Sequence, residues 1–231
     1  MNIYIGYDTR EDLAYQVSSY SIKSKSPDAN VFPLKLNDLR KRGLYTREED
    51  KLGSTEFTFS RFLIPLLNNY EGWALFCDCD ILFLNPVEEL AKQVNDKYAI
   101  MCVQHDYQPK NNTKMDGKVQ SLYPRKNWSS LVLWNCGHPA NKKITSKLVN
   151  DPETTGKYLH RFSWLDDKDI GSLSHEWNWL VGWYQEPNDG KPKAIHYTEG
   201  GPWFEEYRFC EYHEVWKEYL YKMMQIKKNS V

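Results

Sequence analysis

Two aspartates that flank a cysteine, Asp78 and Asp80, stand at the end of an apolar run, and their spacing points to cation chemistry. The run Trp73–Phe76 (WALF) predicts a buried strand, and carboxylates two residues apart on extended backbone point to the same side. Buried carboxylates are costly unless they are neutralised, and their hard oxygens suit Mg²⁺ or Mn²⁺ that bridges two phosphates. The pattern therefore predicts a divalent cation site, with two loop carboxylates that cap a helix or meet solvent as the alternative.

The elements that must position this pair alternate between strand and helix patterns. Further buried strands are predicted over residues 2–7, 31–36, 81–84, 98–103, 131–134 and 194–197. The helical spacing of apolar residues predicts helices over 11–25 and 57–67, the second despite Pro65. This alternation is typical of an α/β fold with a mainly parallel, Rossmann-like central sheet flanked by helices. In such sheets ligands bind beyond the carboxyl ends of the strands.

Neither a repeat nor a linker divides the sequence, so residues 1–231 are predicted to form a single domain. The polar segment 107–127 is long for a loop in a compact domain, which indicates a functional or mobile element. The C-terminal region 205–231 is predicted to contain an amphipathic helix, from Glu205 to Lys228, that packs on this domain. Weak contact of this helix with a membrane surface is the alternative.

The composition argues against several classes of protein. Lysine and arginine number 30 and aspartate and glutamate 31, so the formal charge is −1 and no specific nucleic-acid partner is expected. With 41% hydrophobic residues, the chain is expected to bury a core rather than to be disordered. Neither a signal peptide nor an apolar stretch of about 18 residues is visible, and the five cysteines suit a reduced compartment, so a cytoplasmic location is expected.

The segment around the two aspartates, GWALFCDCDILFLNPVEEL, resembles the DxD strand of the glycogenin-like family of retaining glycosyltransferases, which includes bacterial galactosyl- and glucosyltransferases. The resemblance extends over most of the chain, through separated motifs in the family's order. It implies a GT-A fold, a UDP-sugar donor and Mn²⁺ as the cofactor, with Mg²⁺ as the alternative.

Near the N-terminus, Gly6-Tyr7-Asp8 stands where the family places a strand-end aspartate against the uridine. The resemblance thus implies that Asp8 accepts hydrogen bonds from uracil or ribose, whereas its residue type and place equally suit the N-cap of the following helix. Arg61 matches a basic residue close to the donor, where it could hold carboxylates or donor phosphates by bidentate contacts. On its own it would be a surface arginine.

Downstream, the segment 164–170 (WLDDKDI) resembles the family's DQD segment beside the donor sugar. Asp167 and Asp169 match the two aspartates, and the resemblance implies that they contact the sugar. Lys168 replaces the glutamine found in many relatives, which leaves the mechanism of retention open. The alternative is an acidic helix start. Trp177-Asn178 resembles a Trp-Asn pair of the family, for which a structural role is expected.

The last motif is HYTEGGPW, from His196 to Trp203. In the family this pattern holds a metal-binding histidine at a strand end, so the resemblance implies that His196 is the third ligand beside Asp78 and Asp80. Gly200 and Gly201 would let backbone N–H groups approach a diphosphate closely. Many relatives have a lysine where Gly201 stands.

Two weaker candidates complete the site. Asp106 matches a sugar-contacting aspartate of the family, with an ordinary loop carboxylate as the alternative, and Ser129 lies in a donor-sugar and acceptor segment, where it could bond sugar or relieve crowding. Lysines and arginines of the 107–127 loop are expected to cover the acceptor site, or else to be solvated.

The sequence therefore predicts a metal-dependent hexosyltransferase that uses a UDP-sugar and a glycan or lipid-linked glycan acceptor. A metal-dependent nucleotidyltransferase is the alternative enzyme, although the stretch after Tyr7 lacks the Gly-rich basic loop usual there. A catalytically inactive module that binds a nucleotide-sugar is the alternative outside the enzymes.

Overall fold

The computed structural model describes residues 1–48, 55–106 and 125–229, with side chains to residue 225. Strands lie at β1 (Asn2–Gly6), β2 (Asn30–Leu34), β3 (Trp73–Cys77), β4 (Ile81–Phe83), β5 (Ile100–Cys102), β6 (Leu131–Asn135), β7 (Ile170–Ser172), β8 (Trp179–Leu180) and β9 (Ala194–His196). Helices lie at α1 (Asp12–Lys25), α2 (Leu36–Lys41), α3 (Ile64–Leu67), α4 (Val87–Ala91), α5 (Ser146–Asn150), α6 (Gly156–His160) and α7 (His213–Asn229).

The central sheet has the strand order β2-β1-β3-β6-β5-β7. β1 pairs in parallel with β2 and β3, and β5 pairs in parallel with β7, whereas β6 is antiparallel to both of its neighbours. Five of the six strands therefore share one direction, which confirms the predicted α/β fold with a mainly parallel sheet and flanking helices.

A second sheet has three strands, in the order β4-β9-β8. β4 follows β3 after a gap of three residues, and it pairs antiparallel with β9 in a register that sets Ile81 opposite His196. This pairing brings a late strand of the chain directly against the segment that contains the two aspartates.

The predicted strands all exist within one to three residues of their expected ends, but β7 and β8 were not predicted. β7 has three residues, one of them Gly171, and β8 has two. Segments this short show no apolar run or alternation from which a strand could be predicted. A Cβ on Gly171 would lie 2.7 Å from side-chain atoms of Met101 and Tyr98, so the position has no room for one.

The C-terminal helix begins later than predicted, at His213 instead of Glu205. Tyr212 has a φ of 60°, a left-handed conformation that an α-helix cannot continue through, and Glu205–Tyr207 forms a separate 3-10 turn. The apolar face of α7 contributes Trp216, Tyr219 and Met223 to a buried cluster with residues of α1, β4 and β9. Within the described residues, no helix is both long and apolar enough to cross a membrane.

Candidate metal centre

Two neighbouring aspartates and a histidine that is distant from them in the sequence meet where β3 ends. Asp78 directly follows β3, and its main-chain N–H donates to the carbonyl of Ser130 at 2.8 Å. The carbonyl of Asp80 accepts from the N–H of Tyr197 at 3.0 Å, which fixes this residue beside the end of β9. Because His196 is the last residue of β9, its side chain comes to the same point.

Asp78, Asp80 and His196 each offer one ligand atom, and these atoms lie within 4.8 Å of one another. We call these three residues the metal centre. The Nε2 atom of His196 lies 3.4 Å from Oδ2 of Asp80, and His196 is 2% exposed. The Oδ1 atom of Asp80 is buried and has no hydrogen-bond partner among the described residues. A buried carboxylate oxygen in this position fits a cation as its partner, since leaving it unpaired is costly.

Asp78 has a positive neighbour that partly neutralises it. The Nη1 atom of Arg61 donates to Oδ1 of Asp78 at 2.8 Å, and the guanidinium lies 4.9 Å and 5.2 Å from the ring centroids of Phe57 and Phe76. Burial raises the pKa of Asp78 to about 6, and Arg61 opposes that rise. Arg61 thus holds a carboxylate, as one of its two predicted roles required, but through one nitrogen and not in a bidentate pair.

A third acid near this site, Glu11, is not among the candidates that the sequence offers. It is 2% exposed, and burial raises its pKa to about 8, with the charges of Asp80 and Asp8 adding to the rise. Its Oε2 atom lies 3.9 Å from the thiol of Cys79, the residue that stands between the two aspartates in the sequence. Glu11 belongs to the first turn of the chain after β1, where an acidic residue is ordinary, so no sequence signal distinguishes it.

Asp8 acts as an N-cap, the alternative that the sequence left open. Its carboxylate is fully buried and accepts from the N–H of Arg10 at 2.9 Å, from the Arg10 side chain, and from the N–H of Glu56 at 3.1 Å. Burial acts to raise the pKa of Asp8, but these hydrogen bonds outweigh it and lower the pKa. A uridine contact would require Asp8 to exchange these partners, so that role stays a prediction.

Gly6 and Tyr7 have local roles that the structure explains. A Cβ on Gly6 would lie 2.5 Å from the ring of Phe57, so glycine is needed for packing at the end of β1. The Tyr7 hydroxyl donates to Oδ1 of Asp12 at 2.8 Å, and the Nζ atom of Lys35 lies 4.5 Å from the centroid of the Tyr7 ring. Their predicted contact with the nucleotide stays a prediction.

The glycine pair after β9 makes room for aromatic rings. A Cβ on Gly200 would lie 2.6 Å from the ring of Tyr207, and one on Gly201 would lie 2.0 Å from the ring of Trp203. Gly200 also has a φ of 137°, which favours glycine. The predicted approach of this backbone to a diphosphate remains a prediction.

The acidic segment 166–169 is not joined to the metal centre. The carbonyl of Asp169 accepts from the N–H of Ala99, at the amino ends of β5 and β7, whereas the metal centre lies beyond the carboxyl end of β3. The Asp167 side chain is 88% exposed and pairs with Arg125, and Lys168 is exposed as well. No hydrogen bond or ion pair within 1–48, 55–106 and 125–229 connects this segment to the metal centre. The catalytic role predicted for it stays a prediction.

The two weaker candidates, Asp106 and Ser129, have different surroundings. Asp106 is exposed, whereas its neighbour His105 is buried. The Nδ1 atom of His105 forms a hydrogen bond of 2.8 Å with the Tyr184 hydroxyl, and burial lowers the pKa of His105 to about 3. Ser129 is buried, and its hydroxyl bonds Nδ1 of His160 at 2.7 Å. The sugar contacts predicted for Asp106 and Ser129 stay predictions.

The predicted acceptor loop lies mostly outside the described residues, since 107–124 are not among them. Of its basic residues that are described, Arg125 pairs with Asp167 and Lys126 is 3% exposed. The alternative of a solvated basic residue does not hold for Lys126, and the predicted cover of the acceptor site stays a prediction.

The architecture and the metal centre together define an α/β protein with the GT-A fold of solved glycosyltransferases. The bifunctional glycosyltransferase WbbM is 14% identical, with a TM-score of 0.66 over 99% of this chain and 51% of that one. GlyE of Streptococcus pneumoniae TIGR4 is 15% identical, with a TM-score of 0.64 over 100% of this chain and 63% of that one. The galactosyltransferase LgtC, solved with donor and acceptor sugar analogues, is 11% identical, with a TM-score of 0.58 over 96% of both chains. The chain thus spans about half of WbbM and under two thirds of GlyE.

The chain belongs to the same family as Protein CDI of Arabidopsis thaliana. The two are 55% identical over 218 residues, which cover 93% of this chain and 83% of that protein. No protein-family profile matches the sequence.

Proposed function

We propose that this chain is a metal-dependent, retaining hexosyltransferase that moves a hexose from a UDP-sugar to a glycan or lipid-linked glycan, and that residues 1–231 form one catalytic domain. The observation that carries the proposal is the convergence of Asp78, Asp80 and His196 within 4.8 Å. They meet beyond the carboxyl end of a central strand, where ligands bind in open α/β sheets. The fold shared with WbbM, GlyE and LgtC supports the transferase class.

The donor set of the metal centre suits a hard or borderline divalent cation. Two carboxylates fit Mg²⁺ or Mn²⁺, and the imidazole of His196 favours Mn²⁺ as the softer of the two. A cation held there would supply Lewis-acid stabilisation of the negative charge that develops on a β-phosphate oxygen as the sugar leaves. Each factor of ten in rate requires about 1.4 kcal/mol of such differential stabilisation.

The protein's own side chains prepare this site in three ways. Arg61 favours the ionised form of Asp78, which is the form that binds a cation. The main-chain bonds of Asp78 and Asp80 to Ser130 and Tyr197 fix the backbone from which the two carboxylates project. Burial of His196 shields its ring from bulk water, which strengthens the electrostatic interactions that the ring makes.

Further assignments rest on the family resemblance. We propose that the segment Asp167-Lys168-Asp169 contacts the transferred sugar, which requires it to approach the metal centre when the donor binds. Further contacts with the nucleotide-sugar are proposed for Gly6, Tyr7, Asp8, Arg61, Asp106, Ser129, Gly200 and Gly201.

The test is release of UDP from a panel of UDP-sugars with Mn²⁺, with and without a panel of glycan acceptors. We expect release that needs Mn²⁺, that rises with the acceptor and that falls at least about 100-fold in Asp80→Asn. Asp38→Asn, which changes an exposed aspartate of α2, is the matched control and should equal the wild type. UDP release that is independent of the cation, or unchanged in Asp80→Asn, would contradict the proposal. Binding without turnover would identify an inactive module instead.

A further inference from the structure

Four residues form a continuous chain of buried hydrogen bonds that ends at the metal centre. The Ser130 hydroxyl donates to the carbonyl of Asn127 at 2.6 Å, and Nδ2 of Asn178 donates to the Ser130 hydroxyl oxygen at 2.8 Å. Oδ1 of Asn178 then lies 2.8 Å from Nδ1 of His196. Asn178 is fully buried, and Ser130 and His196 are nearly so, which shields these bonds from competing water.

The direction of every bond in this chain follows from its first member. A backbone carbonyl can only accept, and a serine hydroxyl has a single hydrogen, which is used on Asn127. The Ser130 oxygen must therefore accept from the amide NH₂ of Asn178, and this turns the amide oxygen toward His196. An amide oxygen also only accepts, so Nδ1 of His196 must carry a hydrogen.

With a hydrogen on Nδ1, the other ring nitrogen either carries a proton as well, in the imidazolium ion, or carries none, in the neutral ring. In a neutral imidazole with a hydrogen on Nδ1, Nε2 has a free lone pair. Nε2 lies 3.4 Å from Oδ2 of Asp80, which also presents only lone pairs when ionised. Two facing acceptors of this kind repel unless a proton or a metal cation lies between them, so a metal cation that replaces the proton would be bound by both atoms.

We propose that Asn178 is a positioning residue that selects the Nδ1–H tautomer of His196 and so leaves Nε2 free to bind the cation. Ser130 extends this role to a second ligand, because its hydroxyl orients Asn178 while its carbonyl accepts the N–H of Asp78. One buried serine thus links the orientations of two metal ligands. The inference rests on the metal centre of the proposed function, but the tautomer can be measured without any metal.

Long-range ¹H–¹⁵N spectra of the metal-free protein report which nitrogen of His196 carries the hydrogen. We expect the Nδ1–H form in the wild type and in Asn178→Asp, whose carboxylate also accepts from Nδ1. Asn178→Ala should lose this preference, and Ser130→Ala, which frees the amide to rotate, should weaken it. Asn141→Ala is the matched control, since Asn141 is also fully buried and bonds main-chain carbonyls through its amide, but at the far end of β6.

Mn²⁺ affinity, measured by electron paramagnetic resonance, is the second readout. Loss of an outer-shell partner of a ligating histidine typically weakens metal binding by about 10–100-fold, which is the expectation for Asn178→Ala. Asn178→Asp and Asn141→Ala should stay close to the wild type, so rescue by aspartate separates positioning from a merely structural role.

An Nε2–H form in the wild type, or wild-type tautomer and Mn²⁺ affinity in Asn178→Ala, would overturn the inference. If Asn178→Ala does not fold, the wild-type spectrum and Ser130→Ala still decide the matter. A wild type with the Nδ1–H form that binds no Mn²⁺ would instead refute the metal centre itself, and the two failures are therefore distinguishable.

Discussion

Replacement of Glu11 by glutamine should stabilise the metal-free protein at neutral pH. The pKa of Glu11 rises from 4.5 to about 8 in the folded state, so the folded protein binds this proton more tightly than the unfolded chain does. The resulting contribution to the free energy of unfolding is complete below pH about 4.5 and is lost as the pH rises toward 8. At about 1.4 kcal/mol per pH unit, the free energy of unfolding falls by about 3 kcal/mol up to pH 7 and by about 5 kcal/mol in all. Glutamine copies the shape of the protonated acid and does not ionise, so Glu11→Gln should avoid this loss.

The assay is urea unfolding in EDTA between pH 5 and pH 9, followed by tryptophan fluorescence. We expect Glu11→Gln to unfold like the wild type near pH 5 and to exceed its free energy of unfolding by about 3 kcal/mol at pH 7. Glu153→Gln changes an exposed glutamate and is the control, with no pH-dependent difference expected. Parallel curves for the wild type and Glu11→Gln across this range would refute the idea that a carboxyl is held protonated beside the two aspartates.

Three further substitutions probe other parts of the account. Arg61→Met removes the positive partner of the Asp78 carboxylate and should lower the free energy of unfolding by about 3–5 kcal/mol, measured by urea unfolding in EDTA. A loss under about 1 kcal/mol would contradict that pairing. Gly201→Ala places a methyl group where the Trp203 ring lies and should lower the free energy of unfolding by about 1–3 kcal/mol, which a lower melting temperature would report. An unchanged melting temperature would show that the ring moves aside freely. Asp167→Asn should reduce kcat for sugar transfer by about 100-fold at unchanged Mn²⁺ affinity, and an unchanged kcat would remove segment 166–169 from the catalytic site.

The sequence predicts most of the fold because the strands have strong local signals. The apolar runs at β1, β3 and β6 are buried on both faces, as is usual for central strands of such a sheet, and their limits match the predicted ones within a residue or two. The two aspartates are equally visible because they interrupt such a run. The histidine partner could be identified only through its resemblance to a family motif, since no local pattern connects positions so far apart.

What the sequence could not reveal is the part of the site that depends on tertiary contact. The sequence predicts a structural role for Asn178 because a Trp-Asn pair has no chemical signature, yet its amide bonds a residue of the metal centre across 18 positions. In the sequence Glu11 resembles any acid of a first helical turn, because only its burial in the folded chain raises its pKa. Asp8 has two roles that fit its place in the sequence, and the hydrogen bond from the N–H of Arg10 to its carboxylate shows that it acts as a cap.

The proposed activity requires that Asp78, Asp80 and His196 bind one divalent cation. The most direct test is a crystal grown with MnCl₂ and UDP, with anomalous data that locate manganese. We predict one strong peak at about 2.1 Å from a carboxylate oxygen of each aspartate and from Nε2 of His196. A well-ordered UDP without a manganese peak at these residues, or a peak bound elsewhere, would contradict the claim.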